Sequence, residues 1–117
     1  MNYNRKDGMI EFDVSEFQDW LYTKGDEFVG DAMSKYNCVL SEFLWESLGK
    51  TVVVLGSDGV VEEMDGSDVK VKLPHWCESW VEASYNWQHR QEGKRWMSGS
   101  EGLDVLLSKD VDWGDED

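Results

Sequence analysis

The chain has 117 residues, in which 25 acidic side chains against 11 basic ones give a formal net charge of −14 at pH 7. The length suits one domain, and 40% apolar residues suffice for a core, so the acidity does not by itself indicate disorder. The charge argues against direct binding to nucleic acid or anionic membranes, because both select basic surfaces. No apolar run reaches the roughly 18 residues of a membrane span, and residues 1–7 do not read as a secretory signal, so we expect a cytoplasmic protein.

The acidic residues are distributed unevenly along the chain. Residues 7–68 hold fifteen acidic side chains and three lysines, and residues 110–117 hold five acidic side chains and no basic one. Residues 69–109 are nearly neutral and contain four of the seven tryptophans. This asymmetry predicts a molecule with one acidic surface.

The first predicted elements are a short strand at 9–12 and a helix at 14–24. Asp13 is a favoured N-cap residue, and Glu16 stands three positions later, which is the spacing of a capping box. These local signals predict that the chain enters its first helix directly after the strand.

The next segment predicts one long amphipathic helix from 26 to 48. Apolar side chains recur in it at spacings of three, four and seven residues. The opposite side of that helix would carry a mainly acidic stripe: Glu27, Asp31, Glu42 and Trp45. A tryptophan in an acidic stripe is an unusual solvent-facing residue, and tryptophan is enriched at interface hot spots. The alternative is that a later segment, which includes Trp96 or Trp113, covers this face.

Three β segments follow the long helix, separated by two short turns rich in Gly, Ser and Asp. The predicted strands occupy 51–55, 60–64 and 69–73. Tight glycine-containing turns predict an antiparallel meander. The first of these strands is apolar on both faces, which places it in the middle of the sheet or under a helix.

The last third of the chain predicts two helices. Trp76, Trp80 and Trp87 lie on one face of a helix from 74 to 90, with Pro74 at its first position, and a stripe at this spacing is typical of core. Ser100 is the predicted cap of a short helix at 101–108. Residues 110–117 form an acidic tail beyond a single domain at 1–109.

The predicted fold class is α+β, with a small three-stranded antiparallel meander packed against one long amphipathic helix and two or three shorter helices. Strands and helices are segregated along the chain, and no repeat or linker divides it. We therefore expect the helices to cover one face of the sheet.

The chain lacks the spacing of a metal or catalytic site. His75 and Cys77 form one potential zinc pair, but a second pair at the usual spacing is missing. Cys38 and Cys77 read as two reduced, packed thiols rather than a disulfide framework. Since no nucleophile, base or phosphate-binding loop can be assigned, we predict a protein without enzymatic activity, cofactor or metal.

The charge predicts an inhibitor or adaptor that engages a basic, nucleic-acid-handling protein, as a nucleic-acid mimic. Duplex DNA carries one charge per ~1.7 Å, so fourteen charges correspond to roughly 24 Å of duplex. By analogy of charge and size alone, the setting would be that of phage-encoded inhibitors of host nucleases, restriction or CRISPR systems. Trp45 would be the apolar anchor among phosphate surrogates, which are Glu27, Asp31, Glu42, Glu46, Asp58, Glu62, Glu63, Asp65 and Asp68.

Two other functions remain open at the level of the sequence. The first is a structural or assembly module that forms homo-oligomers through the Trp-rich second half. The second is a small enzyme that uses buried carboxylates, which would require a concave pocket containing carboxyl groups of raised pKa.

Overall fold

A computed structural model describes residues 1–31, 38–91 and 96–108. The described residues form an α+β fold with four helices, one five-stranded sheet and one two-stranded sheet. None of the described helices is long and apolar enough to cross a membrane. The predicted acidic tail at 110–117 lies outside the described residues. In chain order the elements are β1 (Asn2–Asn4), β2 (Met9–Glu11), α1 (Val14–Lys24), β3 (Phe28–Asp31), α2 (Val39–Leu48), β4 (Thr51–Val54), β5 (Asp58–Glu62), β6 (Asp68–Lys72), α3 (Trp76–His89), β7 (Trp96–Ser98) and α4 (Gly99–Leu106).

The main sheet has the strand order β1-β2-β6-β5-β4. Strands β4, β5 and β6 pair antiparallel in succession, whereas β2 joins β6 in parallel, with Met9 opposite Lys72. The Lys72 N–H donates to the Gly8 carbonyl at 2.8 Å and helps to fix this junction. The prediction of a sheet of only three antiparallel strands was therefore wrong. The N-terminal hairpin β1–β2 joins the sheet, which has five strands and is mixed.

Strand β4 lies at an edge of the main sheet and packs against α2. Its Val52 and Val54 are buried in the core, which explains why the strand is apolar. The Ser41 hydroxyl on α2 donates to the Val52 carbonyl at 2.6 Å. A central position for this strand was incorrect, and cover by a helix is what buries it.

The predicted helix at 26–48 does not exist as one element. Residues Phe28–Asp31 form strand β3, and the helix α2 begins only at Val39, with Cys38 as its N-cap. At Gly30 the backbones approach so closely that a Cβ atom there would lie 2.5 Å from the Val39 backbone nitrogen. Short apolar runs fit strand and helix periodicity alike, and the strand partner decides between them.

That partner is β7, a strand that the sequence did not predict. β3 and β7 form an antiparallel two-stranded sheet in which Gly30 lies opposite Met97 and Asp31 lies opposite Trp96. The Met97 side chain, in the middle of β7, is fully buried. The pairing joins segments more than sixty residues apart, so no local pattern indicates it.

The other helices lie close to their predicted positions. Helix α1 has the predicted bounds, and the Glu16 side chain accepts the Asp13 backbone N–H at 2.9 Å. Pro74 precedes the N-cap of α3 instead of occupying the first helical position. Helix α4 begins two residues earlier than predicted, because Ser98 is its cap and not Ser100.

The core between the sheet and the helices is rich in aromatic rings. Phe17 lies at its centre, with its ring centroid 5.2 Å from that of Phe43 and 5.0 Å from that of Trp80. Phe12 packs edge-on against Trp76 at 5.4 Å. The predicted core role of the α3 tryptophans holds for Trp76 and Trp80, and Trp87 is half-buried against the same core.

Candidate functional site

The outer side of α2 carries an acidic–aromatic ridge, defined by Glu42, Trp45 and Glu46. The inner side of the helix is buried and apolar, so these three residues are left facing outward. Trp45 is 55% exposed. Trp96 therefore does not cover Trp45. Trp113, the other residue considered as a cover, lies outside the described segments.

Glu46 is held by helix α1. Its Oε1 accepts a hydrogen bond from Trp20 Nε1 at 3.2 Å and forms an ion pair with Lys24 Nζ at 3.1 Å. The same Lys24 ammonium lies 5.5 Å from the centroid of the Trp20 ring. Glu46 therefore links two helices as well as contributing charge to the ridge.

Glu42 has a different environment from Glu46. It is half-buried in the first turn of α2, and none of the ion pairs among the described residues involves it. Burial raises the pKa of its carboxyl group, and the nearby Glu46 carboxylate adds to the rise. A carboxylate in this position gains more from an approaching cation than a fully solvated one does.

A second group of carboxylates, the end cluster, comprises Glu62, Glu63, Asp65 and Asp68 around the β5–β6 turn. Glu62 and Asp68 lie directly opposite each other in the antiparallel pair, and both are exposed. Opposite positions place Cβ atoms about 4.5–5.5 Å apart, so like charges here destabilise the sheet. The other end of the same two strands shows the usual arrangement, in which Asp58 lies opposite Lys72 and pairs with it at 2.9 Å.

Glu63 is engaged inside the molecule rather than offered to solvent. Its carboxylate accepts from Lys50 Nζ and from the Tyr3 hydroxyl, both at 2.6 Å. These hydrogen bonds, that from Lys50 first, hold the pKa of Glu63 below its usual range. Burial and the bond to Glu63 raise the pKa of Tyr3 to about 12. Glu63 therefore joins β1, the β5–β6 turn and Lys50 in the α2–β4 connection.

Asp65 shapes the turn of the end cluster. It accepts the Ser67 hydroxyl at 2.6 Å and the Ser67 backbone N–H at 2.9 Å, and these bonds lower its pKa. Arg5 lies 3.8 Å from it. Within the end cluster, Glu62 and Asp68 are therefore the carboxylates without an ion pair among the described residues.

Three predicted surrogates fall elsewhere. Asp58 lies at the far end of β5, roughly 13 Å from Glu62 at 3.3 Å per residue, and it is paired with Lys72. Asp31 is only 7% exposed in β3, so its assignment to a surface stripe was wrong. Glu27 is exposed but precedes β3, so it does not share a helix face with Glu42.

The helix that carries the ridge leads directly into the sheet that carries the end cluster. Helix α2 ends at Leu48, and after two intervening residues β4 begins at Thr51, which lies opposite Glu62. Lys50 in this connection contacts Glu63. The α2–β4 junction thus connects the C-terminal end of α2 to the end cluster.

Sequence reasoning missed two exposed aromatic side chains. Phe28 is 67% exposed and Trp96 is 52% exposed in the two-stranded sheet. Phe28 lies opposite Ser98 and Trp96 lies opposite Asp31, with an irregularity in the register of β3 between Phe28 and Gly30. Phe28 lies in the segment predicted as an amphipathic helix, and it is exposed in strand β3 instead.

The described segments contain no group of three or more His, Cys, Asp and Glu side chains placed to hold a metal ion. Cys38 and Cys77 are free thiols. Burial raises the pKa of both, that of Cys38 to about 11. A thiol with such a pKa is a poor nucleophile at neutral pH.

Open grooves lie at several places on the described surface. The first, of about 420 Å³, lies on the outer face of the main sheet and contains the Asp58–Lys72 pair. The second, of about 280 Å³, lies beside β2, and the third, of about 460 Å³, runs along α3. None of these three includes Glu42, the carboxyl group whose pKa is raised. These three grooves therefore lack what a carboxylate enzyme would require, a concave pocket that contains a carboxyl group of raised pKa.

Comparison with protein-family models, with curated proteins and with solved structures gave no match. A function for this chain therefore has to be argued from its own residues.

Proposed function

We propose that the protein is an acidic inhibitor or adaptor that binds a basic, nucleic-acid-handling protein as a nucleic-acid mimic, without catalysis of its own. The observation that carries this proposal is the like-charge pair Glu62 and Asp68, exposed and directly opposite each other. Such a pair costs stability in the isolated protein. A basic partner would offset that cost on binding.

The acidic–aromatic ridge supports the same proposal. Trp45 offers a large exposed apolar surface between two carboxylates, and tryptophan is the residue type most often found at hot spots. The net charge of −14 corresponds to roughly 24 Å of duplex, and the molecule measures 39 Å in its longest direction. Charge and size therefore match a short stretch of nucleic acid within a factor of two. The setting we propose is cytoplasmic, as for phage-type inhibitors of host nucleases, restriction or CRISPR systems.

The test is retention of proteins from a cell lysate on the immobilised full chain, eluted with rising NaCl and identified by mass spectrometry. We expect basic nucleic-acid-binding proteins, released by salt and also displaced by duplex DNA. The variant Glu62→Gln/Asp68→Asn should release them at lower salt than Glu78→Gln/Glu82→Gln, which removes the same charge from α3. Retention that is insensitive to salt, or equal release from both variants, would refute the proposal.

An assembly module remains the second candidate, supported by the exposed rings of Phe28 and Trp96. Exposed aromatic residues are typical of interfaces. Most of the second-half tryptophan surface lies in the core instead, since Trp76 and Trp80 are buried. Analytical ultracentrifugation separates the candidates, because assembly requires a mass that rises with concentration and mimicry does not.

A further inference from the structure

The molecule already holds one cation between an indole and a carboxylate. The Lys24 ammonium lies 5.5 Å from the Trp20 ring centroid and 3.1 Å from the Glu46 carboxylate, which also accepts the Trp20 N–H at 3.2 Å. Ring and carboxylate both attract the cation, the first through its quadrupole and the second through its charge. In this arrangement the cation is supplied by the chain itself.

The same two groups recur on α2, where no cation of the described residues is paired with the carboxylate. Glu42 and Trp45 are three residues apart on one helix, which makes them surface neighbours with Cβ atoms about 5–6 Å apart. Trp45 is 55% exposed, and no ion pair among the described residues reaches Glu42. The pair is open to an external group on the side where Trp45 faces solvent.

The energetics of Glu42 favour a cationic occupant over an apolar one. Partial burial disfavours its charged form, and the carboxylate of Glu46, one helical turn further on, disfavours it again. An apolar group placed over Glu42 would increase that desolvation, whereas a cation would compensate for it. Charge complementarity therefore selects a basic side chain.

We propose that Glu42 and Trp45 form a receptor for an arginine side chain of the basic partner. This inference rests on the proposed function and adds the chemistry of one contact to it. A planar guanidinium stacks on an indole and still donates two hydrogen bonds to a neighbouring carboxylate, whereas an ammonium cannot do both equally well. Glu46 is already occupied by Lys24 and Trp20, so Glu42 is the acceptor of this contact.

The experiment titrates the ¹⁵N-labelled full chain with nona-arginine and, separately, with nona-lysine. The readout is the indole N–H resonance of Trp45, assigned with Trp45→Phe. We expect a saturable shift and tighter binding of nona-arginine. Glu42→Gln should weaken nona-arginine binding roughly three-fold and reduce the preference for arginine. The control is Glu82→Gln, an equal charge change on α3, which should have an effect below about two-fold.

The outcomes separate this inference from the proposed function. Equal weakening by the two glutamine variants would overturn the receptor. So would shifts at the Glu62 and Asp68 amides with none at Trp45, although binding to a basic partner would then stand. No saturable shift with either peptide at low salt would contradict both. Trp45→Ala, checked by circular dichroism, should remove the arginine preference and leave the fold intact, because this side chain is more than half exposed.

Discussion

At the residue scale, the six carboxylates of the ridge and the end cluster fall into two groups according to what contacts them. Three accept hydrogen bonds or ion pairs that join separate elements or shape a turn: Glu46, Glu63 and Asp65. Three others have no ion pair among the described residues: Glu42, Glu62 and Asp68. The first group stabilises the fold, and the second supplies the surface on which the proposed function depends.

Glu42→Gln should stabilise the isolated protein at pH 7. The pKa of Glu42 is raised by burial and by Glu46, so its favourable contribution exists below the unfolded pKa and is lost as the pH rises through the folded value. The free energy of unfolding, measured in urea, should therefore be higher for the variant at pH 7, and the difference should vanish below about pH 4.

Two controls accompany this measurement. Glu46→Gln should destabilise by about 0.2–1 kcal/mol, because it loses the ion pair with Lys24. Glu82→Gln should stay within about 0.5 kcal/mol of the parent. If Glu42→Gln proves destabilising at pH 7, the carboxylate has a stabilising partner and is not open to a cation.

At the scale of elements, caps and close approaches decide where helices begin. Helix α4 begins at Gly99 because the Ser98 hydroxyl accepts the Glu101 N–H at 3.1 Å and Glu101 accepts the Ser98 N–H at 2.9 Å. Ser98 also lies in β7, opposite Phe28, so one residue ends a strand and caps a helix. This double role fixes the two-stranded sheet relative to α4.

Ser98→Ala should destabilise the protein by about 1 kcal/mol, since it removes the cap and leaves the Glu101 N–H without its acceptor. Ser100→Ala, at the position that the sequence favoured as the cap, should change stability by less than about 0.5 kcal/mol. Urea midpoints of the two variants measure the difference. A larger effect at Ser100 would mean that the helix starts where the sequence predicted.

At the scale of the whole molecule, repulsion among acidic side chains opposes a well-packed core. The net charge is −14, whereas only a few ion pairs join the described residues. Salt weakens attraction and repulsion alike, but 25 acidic residues against 11 basic ones leave repulsion in excess. Moderate salt should therefore favour the folded state.

Added NaCl at pH 7 should raise the melting temperature of the isolated chain, by roughly 4 °C for each 1 kcal/mol of repulsion that it screens. The variant Glu62→Gln/Asp68→Asn should show a smaller rise, because it lacks one of the closest like-charge pairs. Differential scanning calorimetry across a salt series measures both. A melting temperature that falls with salt would show that ion pairs outweigh the repulsion.

Local signals in the sequence account for the elements that were predicted well. The capping box at Asp13 and Glu16 defines the start of α1, and glycine-rich turns separate β4, β5 and β6. Each of these signals acts over a few residues. The helix at 26–48 failed because the short run at its start also fits a strand, and the choice there depends on β7.

The sequence by itself determined the α+β class, the acidity and most element positions, because these follow from composition and short-range periodicity. The tertiary structure alone decided that Asp31 is buried, that Glu63 is bound by Lys50 and Tyr3, and that Glu62 faces Asp68 with Trp45 left exposed. Contacts between distant segments set the burial and pairing of each carboxylate. The net charge gives the excess of acidic over basic residues. Only the contacts between distant segments determine which carboxylates stay available to a partner.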